Sequence, residues 1–137
     1  VKIIAEDLGA ATKDAEKIRK KFGIPGMTIL QYEYFNNDRT FLEVEETVLY
    51  TGTHDNDTTL GWWHTLDETA KTNVTELTGQ TDDIVGSMIE LAKQSSAPLC
   101  IVPLQDILRL GSSGRMNVPG IEEGNWEWRF QWEDLPF

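Results

Sequence analysis

Four short apolar runs recur along the 137-residue chain, at Val1 to Ala5, Met27 to Tyr32, Val48 to Thr51 and Pro98 to Val102, with polar, helix-like sequence between them. Runs this brief and this continuous read as strands buried on both faces, and such strands belong to parallel sheets covered by helices. The segments between them agree. Thr12 is placed to cap a helix with Ala15, Ile18 and Phe22 on its apolar face, Asp14 and Glu16 near its start, Arg19, Lys20 and Lys21 near its end, and Gly23 as its stop. Two further helices are predicted after the third run. One opens on a capping box of Thr65 and Glu68, turns Ala70, Val74 and Leu77 inward and ends at Gly79. The other is headed by Thr81, carries Asp82 and Asp83 at its positive end and faces Ile84, Met88, Leu91 and Ala92 inward. A short helix from Pro103 to Leu110, closed by Gly111, follows the fourth run. The predicted class is α/β, with about four parallel strands and covering helices in a single domain over residues 1–137.

Charge narrows the choice of partners. Twelve Lys and Arg against 23 Asp and Glu give a net charge of −11, a field that repels nucleic-acid phosphates and anionic lipid headgroups. Neither nucleic acid nor membrane is expected as a partner. No apolar run approaches the ~18 residues of a membrane-spanning helix, and the start lacks the basic-then-apolar pattern of an export signal, so a cytoplasmic location is expected. Cys100, the single cysteine, lies between Leu99 and Ile101 and reads as a buried, inert thiol.

Polar chemistry gathers where the runs end. Glu6 and Asp7 follow the first run and His54 and Asp55 the third, the C-terminal strand ends at which parallel α/β folds collect their reactive groups. Glu6, beside Ile3, Ile4 and Ala5, reads either as a general acid with a raised pKa or as a carboxylate satisfied by backbone amides. Asp55 and Asp57, flanking Asn56, also suit a turn with Asp57 as a helix N-cap. His54 has no second histidine at a ligand spacing, so no metal is expected, and His64 reads as a surface or helix-end residue. Trp62, Trp63 and the tail residues Trp126, Trp128 and Trp132 can serve as core and docking residues or stack on sugar rings. Gly111-Ser112-Ser113-Gly114 is too short for a phosphate loop and reads as a loop at the edge of an active site.

Several segments, in order, resemble the 4-α-glucanotransferases, or amylomaltases. They are Ile4-Ala5-Glu6-Asp7-Leu8-Gly9, Gly23-Ile24-Pro25-Gly26-Met27, Tyr50-Thr51-Gly52-Thr53-His54-Asp55-Asn56-Asp57-Thr58, Pro103-Leu104-Gln105-Asp106 and Arg115-Met116-Asn117-Val118-Pro119-Gly120, with the ending Glu123-Gly124-Asn125-Trp126. The resemblance implies an eight-stranded barrel related to the α-amylases and a retaining transfer of α-1,4-glucan segments between maltodextrins without a cofactor. Glu6 then stands as general acid/base, Asp55 as the carboxylate that stabilises the transition state and His54 as a neighbour that binds sugar hydroxyls. Arg115, Asn117 and Tyr32 match substrate-site positions. The family's nucleophile, an aspartate ending the fourth barrel strand, precedes the strand of Glu6 and is expected to lie outside this chain.

Four strand-and-helix units amount to half of a barrel that needs ~250 residues, so the expectation is a C-terminal half-barrel, inactive alone and prone to self-association. Thr40 to Glu46 departs from the family's longer loop, which carries His and Asn. The rival readings are a non-catalytic glucan-binding module that uses the tryptophans and a related α-glucan hydrolase.

Overall fold

The computed structural model describes residues 3–8, 13–35, 39–79 and 82–135. In chain order the elements are α1 (Lys13–Lys21), β1 (Gly26–Ile29), α2 (Leu30–Glu33), β2 (Thr47–Tyr50), α3 (Thr59–Thr65), α4 (Glu68–Thr78), α5 (Ile84–Lys93), β3 (Leu99–Ile101) and α6 (Leu104–Ile107). Single turns of 3₁₀ helix form at Thr40–Leu42, Ser112–Gly114 and Trp132–Asp134. The strands make one parallel sheet in the order β1-β2-β3, with Gly26 opposite Thr47, Ile29 opposite Tyr50, Val48 opposite Leu99 and Tyr50 opposite Ile101. The class is therefore α/β with parallel strands, as the alternation of apolar runs and helices implies.

The central strand carries the core. Val48 and Leu49 point to opposite faces and are 1% and 0% exposed, so β2 is buried on both sides. Leu49 packs in one cluster with Val74 and Leu77 of α4 and Ile84, Val85, Met88, Leu91 and Ala92 of α5, the residues that the helical spacing turns inward. Trp62 and Trp63 lie against this cluster, half-buried. Cys100 is half-buried as well, and burial pushes its thiol pKa up, away from the reactive thiolate.

Several expectations are corrected. Among the described residues the sheet has three strands rather than four, because residues 3–8 join no ladder. The Asp7 carboxylate accepts the Met27 amide at 2.9 Å and pairs with Arg19 at 3.2 Å, so a side chain satisfies an edge donor that a strand would have used. The second run stops being a strand at Ile29 and turns into α2, which moves Tyr32 onto a helical turn. Three helices, not two, separate β2 from β3, since Thr59–Thr65 is helical despite its glycine, tryptophans and threonines.

The helix caps shift accordingly. Thr58, not Asp57, caps α3 by accepting the Gly61 amide. Asp67, not Thr65, caps α4 by accepting the Ala70 amide at 2.8 Å, because Thr65 still belongs to α3. Asp83 caps α5 through the Gly86 amide, and the proposed caps Thr12 and Thr81 lie outside the described residues. The predicted apolar face of α1 is not buried among the described residues: Ile18 and Phe22 are 57% and 68% exposed. The tail tryptophans are not core either, for Trp126 and Trp132 are largely exposed, and Trp128, Phe130 and Trp132 pack on one another.

Asp83 offers a test of this arrangement by pH. Its carboxyl is held below the usual carboxylate range first by the Arg109 guanidinium, which donates to both of its oxygens, and then by the Gly86 amide. A depressed folded pKa gives stability that is present above the unfolded value of about 4 and is lost as pH falls through the folded one. Asp83→Ala is expected to cost about 1 kcal/mol at pH 7, the usual worth of an N-cap. That difference should shrink steadily below pH about 4. Denaturant melts of both proteins at pH 7, 4 and 3 read the two values, and a constant difference would contradict the pairing.

Candidate active site

The C-terminal end of β2 runs into the loop Thr51 to Thr58, and a hydrogen-bonded turn shapes it. The Asn56 carboxamide oxygen accepts from the Thr53 amide and the Thr53 hydroxyl, both at 2.9 Å, while Thr53 Oγ1 accepts the Asp55 amide. His54 and Asp55 project from this turn. Asn117 Nδ2 donates to Asp55 Oδ1 at 2.6 Å and His54 Nε2 lies 3.3 Å from the same oxygen. Arg115 donates to the Asp55 carbonyl at 2.7 Å and to the Asn117 carbonyl at 2.8 Å, which ties the segment after Gly114 to the loop. Asp55, His54, Asn117 and Arg115 thus form one connected group. Tyr32 joins it through its phenolic oxygen, which accepts from Asn56 Nδ2 at 2.8 Å.

Two cavities flank this group. One, about 420 Å³, is lined by Ile4, Glu6, Tyr50, His54, Met116 and Trp126 among others. The second, about 590 Å³, is lined by Tyr32, Tyr34, Phe35, Asp55 and Trp62 among others. Asn56, Asp57 and Arg115 line both, so the two carboxylates Glu6 and Asp55 belong to adjoining cavities with a common wall. Glu6 lies by the end of β2: the Tyr50 phenol is pushed up in pKa first by burial and then by the Glu6 charge. Glu6 is exposed rather than buried at a strand end, since among the described residues no ladder draws residues 3–8 into the sheet.

The sequence motifs include two residues without giving either an individual place at the site. Trp126 lines the cavity of Glu6 with its ring centroid 5.1 Å from that of His54. Its φ of 63° is in the left-handed region, strained for a bulky side chain, and its amide donates to the Met116 carbonyl at 2.7 Å. The composition of the tail marks its aromatics but not which of them reaches the site. Asp106, 1% exposed, lies beneath the loop and lines neither of the two cavities; its partners, Thr51 and Thr59, are distant in sequence. Asp57 accepts the Ser112 hydroxyl at 2.7 Å and the Thr58 amide, so Gly111 to Gly114 does border the site. A Cβ on Gly61 would come within 2.5 Å of Ser112 Oγ and 2.6 Å of the Asp57 carboxylate, so a larger residue there would push this pair aside. Among the described residues no group of three or more His, Cys, Asp or Glu is arranged to hold a metal, and no helix is long and apolar enough to cross a membrane.

The sheet gathers carboxylates, a histidine and aromatic walls at its C-terminal edge, where parallel α/β folds collect their chemistry, and comparison with known proteins specifies the family. The family model described as 4-alpha-glucanotransferase matches residues 1–134, and the chain belongs to that family. It is 50% identical to the chloroplastic/amyloplastic 4-alpha-glucanotransferase DPE1 of Arabidopsis thaliana, over 94% of this chain and 23% of that protein. With the 4-alpha-glucanotransferase of Synechocystis it shares 45% identity, over 97% of this chain and 28% of the relative. Among solved structures, the amylomaltase from Streptococcus agalactiae in complex with acarbose matches with a TM-score of 0.86 and 29% identity, over 96% of this chain and 28% of that one. The chain spans about a quarter of the length of these relatives. Relatives named as transferases do not favour a non-catalytic binding module.

Proposed function

We propose that this chain supplies the acid/base side of a 4-α-glucanotransferase site that moves segments of α-1,4-glucan between maltodextrins. The observation that carries the reading is the Asp55 carboxylate, fixed by Asn117 and His54 beside the cavity that Glu6 lines. Glu6 in its acid form protonates the glycosidic oxygen as the bond from it to C1 breaks, while a nucleophilic carboxylate from outside these residues bonds to C1 on the opposite face. Glu6, now ionised, then takes the proton of an acceptor hydroxyl, whose oxygen replaces the carboxylate at C1. Asp55 stabilises the positive charge that develops on the sugar. His54, Asn117, Arg115 and Tyr32 bind and orient the glucan, and the cycle needs no cofactor or metal. The compartment in this reading is the cytosol, whereas the Arabidopsis relative is designated chloroplastic/amyloplastic.

Maltotriose supplied to the full-length protein tests the reaction. Glucose together with chains longer than maltotriose is the expected product set. Glucose and maltose alone would assign the site to a hydrolase, and no turnover would overturn the reading.

In the same reading residues 1–137 are a C-terminal portion of a closed barrel, and the chain alone is inactive and self-associates. Among the described residues both β1 and β3 are edge strands, and Ile3, Ile18, Phe22 and Leu99 are among the exposed apolar side chains. The net charge of −11 opposes association, but salt screens it within about 8 Å. Light scattering at rising concentration is expected to show a mass above 15.5 kDa. A strict monomer at high micromolar concentration would contradict this.

A further inference from the structure

We infer that Asp106 is a positioning residue for the loop that presents His54 and Asp55, and that it acts by clamping both ends of that loop with one buried carboxylate. Asp106 Oδ2 accepts from the Thr51 hydroxyl at 2.8 Å and from the Thr59 hydroxyl at 2.7 Å, and Oδ1 accepts the Thr59 amide at 2.7 Å. Thr51 is the residue after β2 and Thr59 opens α3, so the loop leaves and re-enters regular structure on the same side chain. Thr51 and Thr59 are each 0% exposed, which leaves water no way to replace the carboxylate.

The clamp is itself anchored. The Asp106 amide donates to the Pro103 carbonyl at 3.0 Å, and Arg109 Nη1 donates to the Asp106 carbonyl at 3.1 Å while the same guanidinium holds Asp83 at the head of α5. Asp106 touches neither cavity, so its influence on a bound sugar passes through the backbone of residues 52 to 58. A displacement of about 1 Å at a reacting group costs on the order of 100-fold in rate, whereas binding spread over many contacts changes less. This inference rests on the glucanotransferase reading for its kinetic arm but not for its structural one.

The test uses the full-length protein with maltotriose as donor and three variants. Asp106→Ala removes all three acceptors and is expected to lower kcat roughly 100-fold with KM changed less than about threefold. Asp106→Asn keeps the shape and one acceptor for the Thr59 amide, and its NH2 can donate to hydroxyls that turn over, so it should restore part of the rate. Val74→Ala, a core truncation in α4 that lines neither cavity, should lower Tm and leave kcat per folded molecule unaltered. Hydrogen exchange followed by mass spectrometry should quicken about tenfold or more across residues 52 to 58 in Asp106→Ala and remain as in wild type for Val74→Ala. Should Asp106→Ala fail to fold, Thr59→Val, which deletes one of the three bonds, serves with Asp106→Asn and should move exchange and kcat in the same direction. Wild-type exchange across the loop in the folded Asp106 variants, or a lowered Tm with kcat per folded molecule intact, would overturn the inference. If the wild-type protein does not turn over maltotriose, the glucanotransferase reading fails and the exchange rates alone decide the role of Asp106.

Discussion

Glu6→Gln in the full-length protein is expected to transfer maltodextrin segments about 10²- to 10⁴-fold more slowly than wild type, the usual worth of a positioned general acid. The substitution keeps the shape of the side chain and removes only the proton that, in the proposed mechanism, the leaving oxygen needs. A donor with a strongly acidic leaving group, such as a dinitrophenyl maltoside, needs no proton to depart. The first step with that donor should therefore approach the wild-type rate, leaving the acceptor step slow. Burst kinetics with the two donors separate these steps. Equal losses on both donors would remove Glu6 from the acid role and leave it a rim residue of the cavity it shares with Tyr50 and Trp126.

Asp55→Asn is expected to behave differently. In the proposed mechanism its contribution is negative charge held near a sugar carbon that becomes positive, and no choice of leaving group substitutes for that. A loss of about 10²- to 10³-fold should appear with maltotriose and with the activated donor alike. The neutral carboxamide can still accept from Asn117 Nδ2 at the place where Asp55 Oδ1 does now, so the loop should hold its shape. Unchanged hydrogen exchange across residues 52 to 58 distinguishes lost charge from lost structure. Near-wild-type turnover would take Asp55 out of the site.

How far the sequence foretells the molecule depends on whether a signal is local. The runs around Val48 and Leu49 and around Cys100 are apolar on both faces and became β2 and β3, and the inward spacing of Ala70, Val74 and Leu77 is the buried face of α4. Ile3 and Ile4 carry the same apolar signal, yet composition cannot say which edge a run will join, and the Asp7 carboxylate has taken the Met27 amide. Thr65 and Asp67 are both good caps on paper. The choice between them follows from where α3 ends, and α3 is built from residues with weak helix propensity that pack its tryptophans against the core.

The site divides along the same line. His54 and Asp55 announce themselves by adjacency at a strand end, and Asn117 and Arg115 come from the resemblance of their motif. Asp106 reads locally as an acidic residue in the first turn of a short helix, a common place for one. Its real partners are 47 and 55 residues away, and no window along the chain contains them together.

The common wall of the two cavities has a consequence for how this site can change. Asn56 holds the Tyr32 phenol with its amide nitrogen and the Thr53 turn with its carboxamide oxygen, so one side chain sets an aromatic boundary of the second cavity and the backbone that points His54 into the first. On the proposed reading, a variant that re-aims Tyr32 to admit a different sugar is expected to disturb the histidine as well. The two compartments are therefore expected to be retuned together, and alterations of specificity that succeed here should come as paired substitutions, one on each side of Asn56.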